Sequence, residues 1–260
     1  FNTHFDLAVS YIEGGSAYYV HDHVSAAKKA AFIHVDYVQA GYTRRLDKDC
    51  YVDFDRIFAV SDETAGVFAG VYPECQQKLS VFHNLINTEA IRQKALLPAE
   101  KSMHEGIRLL TVGRLTPQKG FDCAVYALKL LLEKQYPVYW YIIGEGPEYG
   151  RLTQLARSLH VEDHFIFLGR QTNPYPYIKM ADFYIHATRF EGKSIAIQEA
   201  QVLGCAIAAS DCSGNREQIV SGVDGLLCPF SPEGIANPVE YLIEHPQTAE
   251  SFGRAAAQKA

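Results

Sequence analysis

Two carboxylates, Glu191 and Glu199, stand eight residues apart in the stretch Phe190–Ala200. Ser194 between them is a good helix N-cap, and helix-forming residues follow it as far as Leu203. The spacing predicts that Glu191 lies in a loop before a helix and that Glu199 lies about one and a half turns inside it. Free backbone N–H groups at a helix start bind anions such as a diphosphate. The stretch therefore carries the polar groups that would hold a nucleotide-sugar.

Glu199 shares a predicted helical stripe with Ile195, Ala196 and Leu203, at spacings of three and four. We expect this helix to be largely buried, and a carboxylate on a mostly apolar helix needs a hydrogen-bonding partner. The alternative is that Glu191 is a solvated loop residue and Glu199 a salt-bridge partner, because two glutamates at this spacing are common by chance.

A second candidate group follows the strand predicted over 107–112. Gly113 permits a sharp turn at the strand end, and Arg114 and Lys119 flank the loop that follows. Two cations at the carboxyl edge of a sheet could neutralise a diphosphate leaving group. The alternative is a solvated pair of surface cations. The helix start near Ser194 favours the functional interpretation, because it offers a second anion-binding group.

The stretch Ile142–Gly150 has the glycine spacing G-x-G-x-x-x-G, which differs from the G-x-G-x-x-G of dinucleotide-binding turns. The next strand ends in Gly169-Arg170 rather than in an acidic residue. We therefore expect no NAD(P) site and interpret Gly144 as part of a turn close to another nucleotide. Arg170 ends a strand at the same predicted edge, where backbone groups could contact a base; a plain turn is the alternative.

Patterns typical of metal sites are weak in this chain. Asp53 and Asp55 form the D-x-D pattern that holds Mg²⁺ or Mn²⁺ in some sugar transferases, but here the pattern runs straight into a strand predicted over 56–60. His160 and His164 lie four residues apart across a predicted helix end and strand start, with no cysteine partner. We expect no metal site and no cofactor.

The composition is that of an ordinary globular protein, with 260 residues, 48% hydrophobic and 21% charged. The net charge of −6 argues against nucleic-acid binding through a basic surface. No apolar run approaches the ~20 residues of a membrane span. The six cysteines include no C-x-x-C pair, which is typical of reduced, cytoplasmic cysteines. Because the chain begins without Met and stops inside an apparent helix, we expect a fragment of a longer protein.

Strands alternate with helices along the chain, which predicts an α/β protein with parallel, doubly wound sheets. The alternation breaks over 85–105, where a short helix is followed by a polar segment. We therefore predict a partial N-terminal Rossmann-like domain over 1–84, a linker over 85–105 and a C-terminal Rossmann-like domain over 106–260. In the first domain a helix is predicted over 43–54. Ligands of such sheets bind at the carboxyl ends of the strands.

The motifs of residues 107–228, taken together, resemble the retaining GT-B glycosyltransferases of glycosyltransferase family 4, the glycosyl transferases group 1. The resemblance rests on these segments, in order and spacing: Val112-Gly113-Arg114-Leu115 with Lys119-Gly120, Ile143-Gly144-Glu145-Gly146-Pro147, Phe167-Leu168-Gly169, Ala181-Asp182, Glu191-Gly192 with Glu199-Ala200, Gly204 with Ala206-Ile207-Ala208-Ala209-Ser210, Glu217-Gln218-Ile219-Val220, and Gly222-Val223-Asp224-Gly225-Leu226-Leu227. Residues 1–84 resemble the second half of the family's N-terminal domain less strongly.

The resemblance implies two facing Rossmann-like domains, with a nucleotide-sugar held mainly by the C-terminal one and the N-terminal one incomplete here. Arg114 and Lys119 would bind the diphosphate, Glu191 the hydroxyls of the transferred sugar, and Glu199 the ribose. His34 resembles the family's histidine beside the donor sugar and completes the expected catalytic set with Arg114, Lys119 and Glu191. The further residues expected at the donor are Gly113, Gly144, Arg170, Gly192, Lys193, Ser194 and Ile195, the last four at a phosphate-binding helix start.

Lys193 stands where the family often has an aromatic or small residue, and a third cation there could contact a phosphate or an acidic sugar. The implied reaction is metal-independent transfer, with retention of anomeric configuration, from a nucleoside-diphosphate sugar, with UDP as the expected nucleotide. The implied acceptor is a glycan or a lipid-linked precursor of a surface polysaccharide. The expected location is the cytoplasm or the inner face of the membrane, with peripheral contact through an absent N-terminal region. A non-catalytic nucleotide-sugar-binding module and a GT-B nucleotide-sugar epimerase remain alternatives.

Overall fold

The computed structural model describes residues 3–260 and divides the chain into two compact units. The first unit runs to Leu85 and also includes Phe190–Lys193. The second comprises Ile86–Arg189 and Ser194–Ala260. Each unit is built on one parallel sheet, which confirms the predicted α/β class with two Rossmann-like domains.

The first unit has four parallel strands in the spatial order β1-β2-β3-β4. The strands are β1 (His4–Ser10), β2 (Ser25–Ile33), β3 (Arg56–Ala59) and β4 (Leu79–Val81). The helices are α1 (Gly15–His23), α2 (Arg44–Asp47) and α3 (Asp62–Val71), with 3₁₀ turns at Cys50–Asp53 and Pro73–Lys78. The carboxyl ends of the four strands lie at the same edge of the sheet, because all neighbouring strands are parallel.

The helix predicted over 43–54 is wrong, because the chain there forms α2 and a separate 3₁₀ turn. Lys48 and Asp49 between them have left-handed backbone φ values of 50° and 58°, which end a right-handed helix. The break leaves Asp47 buried at the end of α2, where it accepts hydrogen bonds from the hydroxyls of Tyr18 and Tyr37. The sequence pattern does not reveal this polar cluster, which coincides with the end of α2.

One face of the first sheet is packed and the other is not. Ala8, Ile33 and Ile57 lie on the packed face and belong to the buried core beneath α1 and α3. Side chains one position away point to the opposite face. There Leu7 is 58% exposed and Phe5 47% exposed. An apolar face of this kind is unusual on a parallel sheet, whose two faces are normally both covered.

The second unit has six parallel strands in the order β10-β9-β8-β5-β6-β7. The strands are β5 (Ile107–Val112), β6 (Val138–Ile143), β7 (Phe165–Gly169), β8 (Phe183–His186), β9 (Ala206–Ser210) and β10 (Leu226–Cys228). The helices are α4 (Thr88–Lys94), α5 (Phe121–Glu133), α6 (Tyr149–Ser158), α7 (Tyr175–Met180), α8 (Ile195–Val202), α9 (Ser213–Arg216), α10 (Pro232–Glu244) and α11 (Pro246–Lys259), with a 3₁₀ turn at Pro117–Lys119. The chain runs outward from β5 to β7 and then returns to β8 on the other side of β5. The carboxyl ends of β5 and β8 are therefore the topological switch point, where ligands of open α/β sheets bind.

Both faces of the second sheet are covered, as its strand pattern requires. Along β6, Trp140 and Ile142 pack into the core on one face, while Tyr141 and Ile143 pack into the core on the other. The Trp140 indole N–H donates to the Thr111 hydroxyl oxygen at 3.0 Å. A buried indole N–H thus has its hydrogen-bond partner, and β5 and β6 are tied together inside the sheet.

The segment predicted as a linker belongs to the second unit. It contains α4, whose first turn is capped by the Asn87 side chain accepting from the Ala90 N–H at 2.9 Å. Further on, the Lys101 N–H donates to the Tyr177 hydroxyl at 2.9 Å. The short helix predicted in this segment is thus present as α4, and the polar stretch after it is held by a hydrogen bond to α7. Within residues 3–260, no helix combines the length and the apolar character needed to cross a membrane.

Candidate functional site

Three strand-end loops of the second unit meet at the carboxyl edge of its sheet. The Gly113 N–H donates to the Ile143 carbonyl at 2.9 Å, and the Gly144 N–H donates to the Gly169 carbonyl at 3.0 Å. A Cβ on Gly144 would collide with the carbonyl oxygen of Gly113, and φ at Gly144 is 147°. Only glycine lets the loops after β5 and β6 approach so closely. The predicted turns at Gly113 and Gly144 therefore form one continuous surface.

Lys119 lies over that surface. It ends the 3₁₀ turn at Pro117–Lys119, and Gly120 follows with a left-handed φ of 61°. The Lys119 side chain runs back across the turn after β5, since a Cβ on Gly113 would lie 3.7 Å from its Cγ and Cδ. The structure thus brings Lys119 and Gly113 together, as the sequence predicted.

Arg189, which follows β8, holds the loop that carries Lys119. Its backbone N–H donates to the Gln118 carbonyl at 2.9 Å, and its Nη1 donates to the Pro117 carbonyl at 2.5 Å. Its two terminal nitrogens also contact the two oxygens of Asp122 at 3.1 and 2.8 Å. Burial opposes ionisation of Asp122, but the hydrogen bond and charge of Arg189 keep the pKa of that carboxyl below its usual range. Sequence reasoning missed Arg189, because its partners lie about 70 positions earlier.

The other two predicted cations of this edge are exposed. Arg114 follows Gly113 and Arg170 follows Gly169, and neither side chain makes a hydrogen bond or ion pair within residues 3–260. Cations left without an internal partner at a sheet edge are available to an anionic ligand. The sequence placed both residues at this edge correctly.

Helix α8 begins as predicted, with the Ser194 hydroxyl oxygen accepting from the Ile197 N–H at 3.4 Å. The helix is largely buried, as predicted. Ile197, Ala200, Gln201 and Val202 are buried, and Ala196 and Leu203 are partly buried against the core. Ile195 at the start of the helix is the exception, because it is 48% exposed.

Glu199 has the partner that its position requires. It is partly buried, and its Oε1 accepts a hydrogen bond from the Tyr175 hydroxyl at 3.0 Å. Burial raises the pKa of Glu199, and the Tyr175 hydrogen bond opposes that rise. Tyr175 was missed because it lies on α7, a separate helix with no motif of its own. A partly buried carboxylate with one oxygen fixed can accept hydrogen bonds from ligand hydroxyls with the other.

A cavity of about 410 Å³ lies beside these loops, between the ends of β6 and β7. Its lining includes Gly144, Gly146, Tyr149 and Gly169. The Gly146 backbone lies against Leu115, whose N–H donates to the Glu145 carbonyl at 2.9 Å. Gly146 therefore lines the cavity and also contacts the loop that carries Arg114 and Lys119.

Three further predicted residues belong to the first unit. Gly192 lies so close to His34 that a Cβ on it would collide with the His34 carbonyl oxygen. The Lys193 Nζ lies 3.1 Å from Nδ1 of His83, and Asn84 Nδ2 donates to the Lys193 carbonyl at 3.4 Å. Glu191 is 9% exposed, so it is not the solvated loop residue of the alternative interpretation.

His34 follows β2 and has a charged neighbour that sequence reasoning missed. The buried carboxylate of Glu13, 6% exposed, accepts a hydrogen bond from the His34 N–H at 2.8 Å. Burial lowers the pKa of His34, and the negative charge of Glu13 raises it by a smaller amount. Sequence reasoning did not find Glu13, because the only local signal is a single glutamate followed by two glycines.

The patterns considered as metal sites have other partners. Asp53 contacts His21 at 2.8 Å, whereas Asp55 contacts Lys28 at 2.9 Å, so the two carboxylates do not converge. His164 hydrogen-bonds the Val138 carbonyl through Nδ1 at 2.8 Å. In the described part of the chain, no group of three or more His, Cys, Asp or Glu side chains is arranged to hold a metal ion.

Two parallel α/β units, with a glycine-lined cationic edge at the switch point of the second, define an open α/β fold of the kind whose ligands bind at the carboxyl ends of the strands. A family model described as glycosyl transferases group 1 matches residues 93–259, and the chain belongs to that family.

Curated relatives share part of this sequence. An uncharacterized glycosyltransferase of Methanocaldococcus jannaschii is 24% identical over 180 residues, covering 67% of this chain and 42% of the relative. A Campylobacter jejuni N-acetylgalactosaminyltransferase that acts on a diphospho-undecaprenol substrate is 32% identical over 158 residues, covering 60% of this chain and 42% of the relative. The chain spans less than half the length of these relatives.

Solved structures share the fold over most of the chain. A glycosyltransferase from Rickettsia africae matches with a TM-score of 0.79 at 20% identity, covering 97% of this chain and 71% of the other. Anabaena HepE in complex with UDP matches with a TM-score of 0.74 at 19% identity, covering 89% of this chain and 67% of the other. These matches show that the two units have the fold of GT-B glycosyltransferases.

Proposed function

We propose that this chain binds a nucleoside-diphosphate sugar, with UDP as the nucleotide, and transfers the sugar to a glycan or lipid-linked acceptor with retention of configuration. The observation that supports this most is that Arg114 and Lys119 follow β5 and helix α8 follows β8, the two strands at the switch point of the second sheet. That edge combines cations for a diphosphate with a carboxylate, Glu199, for ribose hydroxyls. The names of its relatives, which include glycosyltransferases and UDP complexes, agree with the proposal.

In this proposal Arg114 and Lys119 bind the two phosphates of the donor. As the bond from the sugar C1 to the diphosphate oxygen breaks, its electron pair leaves with the UDP. The two cations lie in place before the reaction and stabilise the charge that develops there. They supply the positive charge for which many transferases use a metal ion, which is why we propose that no metal is required.

The acceptor hydroxyl oxygen attacks C1 from the face that UDP leaves, and its proton passes to the departing phosphate oxygen. Glu191 and His34 would bind hydroxyls of the transferred sugar, with the backbone N–H groups from Gly192 to Ile195 at the phosphates. Arg170 and Gly144 would contact the nucleotide end. The acceptor, a cytoplasmic location and a peripheral contact with the membrane stay predictions from the resemblance.

Isothermal titration of the chain with UDP in the presence of EDTA tests the donor site. We expect binding in EDTA and a loss of about a hundredfold or more when Arg114→Ala and Lys119→Ala are combined, because each charged hydrogen bond contributes about 1.5–3 kcal/mol. Arg254→Ala is the matched control, since Arg254 lies on α11 and pairs with Glu250 at 2.5 Å. Unchanged UDP affinity in the double variant would refute the proposed donor site.

A further inference from the structure

Glu13 is a buried carboxylate to which the proposed reaction gives no role. It lies in the turn between β1 and α1, and its side chain is 4% exposed. Carboxylates are seldom this buried unless a partner compensates for the water they lose. Its hydrogen-bond partner is the backbone N–H of His34, which donates to Oε2 at 2.8 Å.

The same oxygen faces the imidazole ring of His34. Oε2 of Glu13 lies 4.0 Å from Nδ1 of His34, and that Nδ1 is buried without a hydrogen-bond partner in the described chain. The ring is 25% exposed, and Nε2 has no hydrogen-bond partner within residues 3–260. One nitrogen of the ring therefore faces a buried negative charge, and the other is left for solvent or a ligand.

Neighbouring rings restrict the orientation of this imidazole. The Phe32 ring stacks on it with centroids 6.0 Å apart, and the Tyr11 ring lies 5.6 Å away at a tilt. On the backbone side, Gly192 packs against the His34 carbonyl so closely that no side chain fits between them. A ring held between such neighbours keeps Nδ1 toward Glu13.

A buried carboxylate beside Nδ1 favours a proton on that nitrogen. A lone pair at Nδ1 would face the negative charge of Glu13, whereas an N–H there is attracted to it. In neutral imidazole a proton on Nδ1 leaves the lone pair on Nε2. Glu13 is the charged group of the described chain that acts on His34, and burial of the ring lowers the pKa of His34, which favours the neutral imidazole.

We infer that Glu13 is a positioning residue for His34: it holds the imidazole as the Nδ1–H tautomer and presents Nε2 as a hydrogen-bond acceptor for a ligand hydroxyl. The identity of that hydroxyl, one on the transferred sugar, rests on the proposed function. An oriented acceptor of this kind discriminates by hydroxyl position, because a sugar without a hydroxyl there leaves Nε2 unpaired.

Histidine-selective ¹H–¹⁵N NMR on the whole chain measures the tautomer and the pKa of His34 without any ligand. In the unsubstituted protein we expect neutral His34 as the Nδ1–H form. Glu13→Gln keeps the size and an acceptor oxygen for the backbone N–H but removes the charge. We expect it to shift His34 toward the Nε2–H form and to lower its pKa by about one unit, the low end of the effect of an opposite charge at this distance.

His164 is the internal control, because its Nδ1 contacts the Val138 carbonyl in the second unit and should not respond. Neutral His34 observed as Nε2–H in the unsubstituted protein would overturn the inference. A second result would also overturn it: the tautomer and pKa of His34 stay unchanged in Glu13→Gln, and Glu13→Ala lowers the melting temperature without changing either. Glu13 would then only cap the backbone at the end of β2. The NMR experiment uses no ligand, whereas the UDP titration tests Arg114 and Lys119. Failure of the proposed donor site can therefore be distinguished from failure of the role proposed for Glu13.

Discussion

Replacing Arg189 with alanine should loosen the loop that carries Lys119 and weaken the second unit. The guanidinium contacts both oxygens of Asp122, donates to the Pro117 carbonyl, and lies 4.9 Å above the Phe230 ring. All of these contacts are lost together in Arg189→Ala, whereas the backbone hydrogen bond to Gln118 remains. The variant therefore tests how much these side-chain contacts, rather than the chain path alone, stabilise the second unit.

The expected cost follows from these contacts. The ion pair is 38% exposed on the Arg189 side and 24% exposed on the Asp122 side, so screening limits it to about 1 kcal/mol. The hydrogen bond to the Pro117 carbonyl adds about 1 kcal/mol, and the contact with the Phe230 ring adds about 0.5–1 kcal/mol. We expect a loss of about 2–3 kcal/mol, which for a chain of this size lowers Tm by about 4–12 °C.

Urea unfolding measures this loss, and Arg254→Ala is the control because its ion pair with Glu250 is 63% and 69% exposed. Since Arg189 keeps the pKa of Asp122 low, the ion-pair contribution is present above the unfolded pKa of about 3.9 and is lost as pH falls through the folded pKa. The difference between Arg189→Ala and the unsubstituted protein should therefore shrink in acid. Equal destabilisation by Arg189→Ala and Arg254→Ala would refute the reasoning.

Two further outcomes follow from the structure. Burial raises the pKa of Glu199, so the folded protein holds the proton on this carboxyl more tightly than the unfolded chain does. This difference stabilises the protein at low pH. The contribution is lost as pH rises from the unfolded pKa through the folded one. Glu199→Gln should remove this dependence, seen as a flatter plot of unfolding free energy as pH rises above the unfolded pKa of about 4.3. The open face of the first sheet should bind the dye ANS, and Leu7→Lys should reduce that fluorescence without lowering Tm, whereas Leu96→Lys, at a side chain of the second unit that is 72% exposed, should not. Undiminished fluorescence in Leu7→Lys would place the dye elsewhere.

Alternation of strands and helices was enough to predict the α/β class and most element positions in the second unit. The strand over 107–112 coincides with β5, because its apolar run is bounded by a glycine turn on one side and a polar segment on the other. The pattern failed at 43–54, where helix-compatible residues surround Lys48 and Asp49. Propensity favours a continuous helix there, but burial of Asp47 among tyrosine hydroxyls requires the chain to turn.

The candidate site was predictable where chemistry is concentrated in short motifs. Arg114 and Lys119 lie five residues apart on one loop, and Ser194 caps the helix that carries Glu199. The supporting residues were not predictable in this way. Tyr175 reaches Glu199 from 24 positions away, and Glu13 reaches His34 from 21 positions away. Such contacts depend on which helices and strand ends become neighbours, and no local period encodes that.

The net charge of −6 is compatible with an anionic ligand because the charges of the second unit are arranged locally. At the carboxyl edge Asp122 is paired with Arg189, whereas Arg114 and Arg170 are exposed and have no internal partner within residues 3–260. Asp122 is thus neutralised and the two arginines are not, although Glu145, in the loop after β6, is exposed at the same edge. Beyond about 8–10 Å salt screens the remaining negative charge of the protein. The acidic net charge of the chain is therefore compatible with the diphosphate site that we propose at this edge.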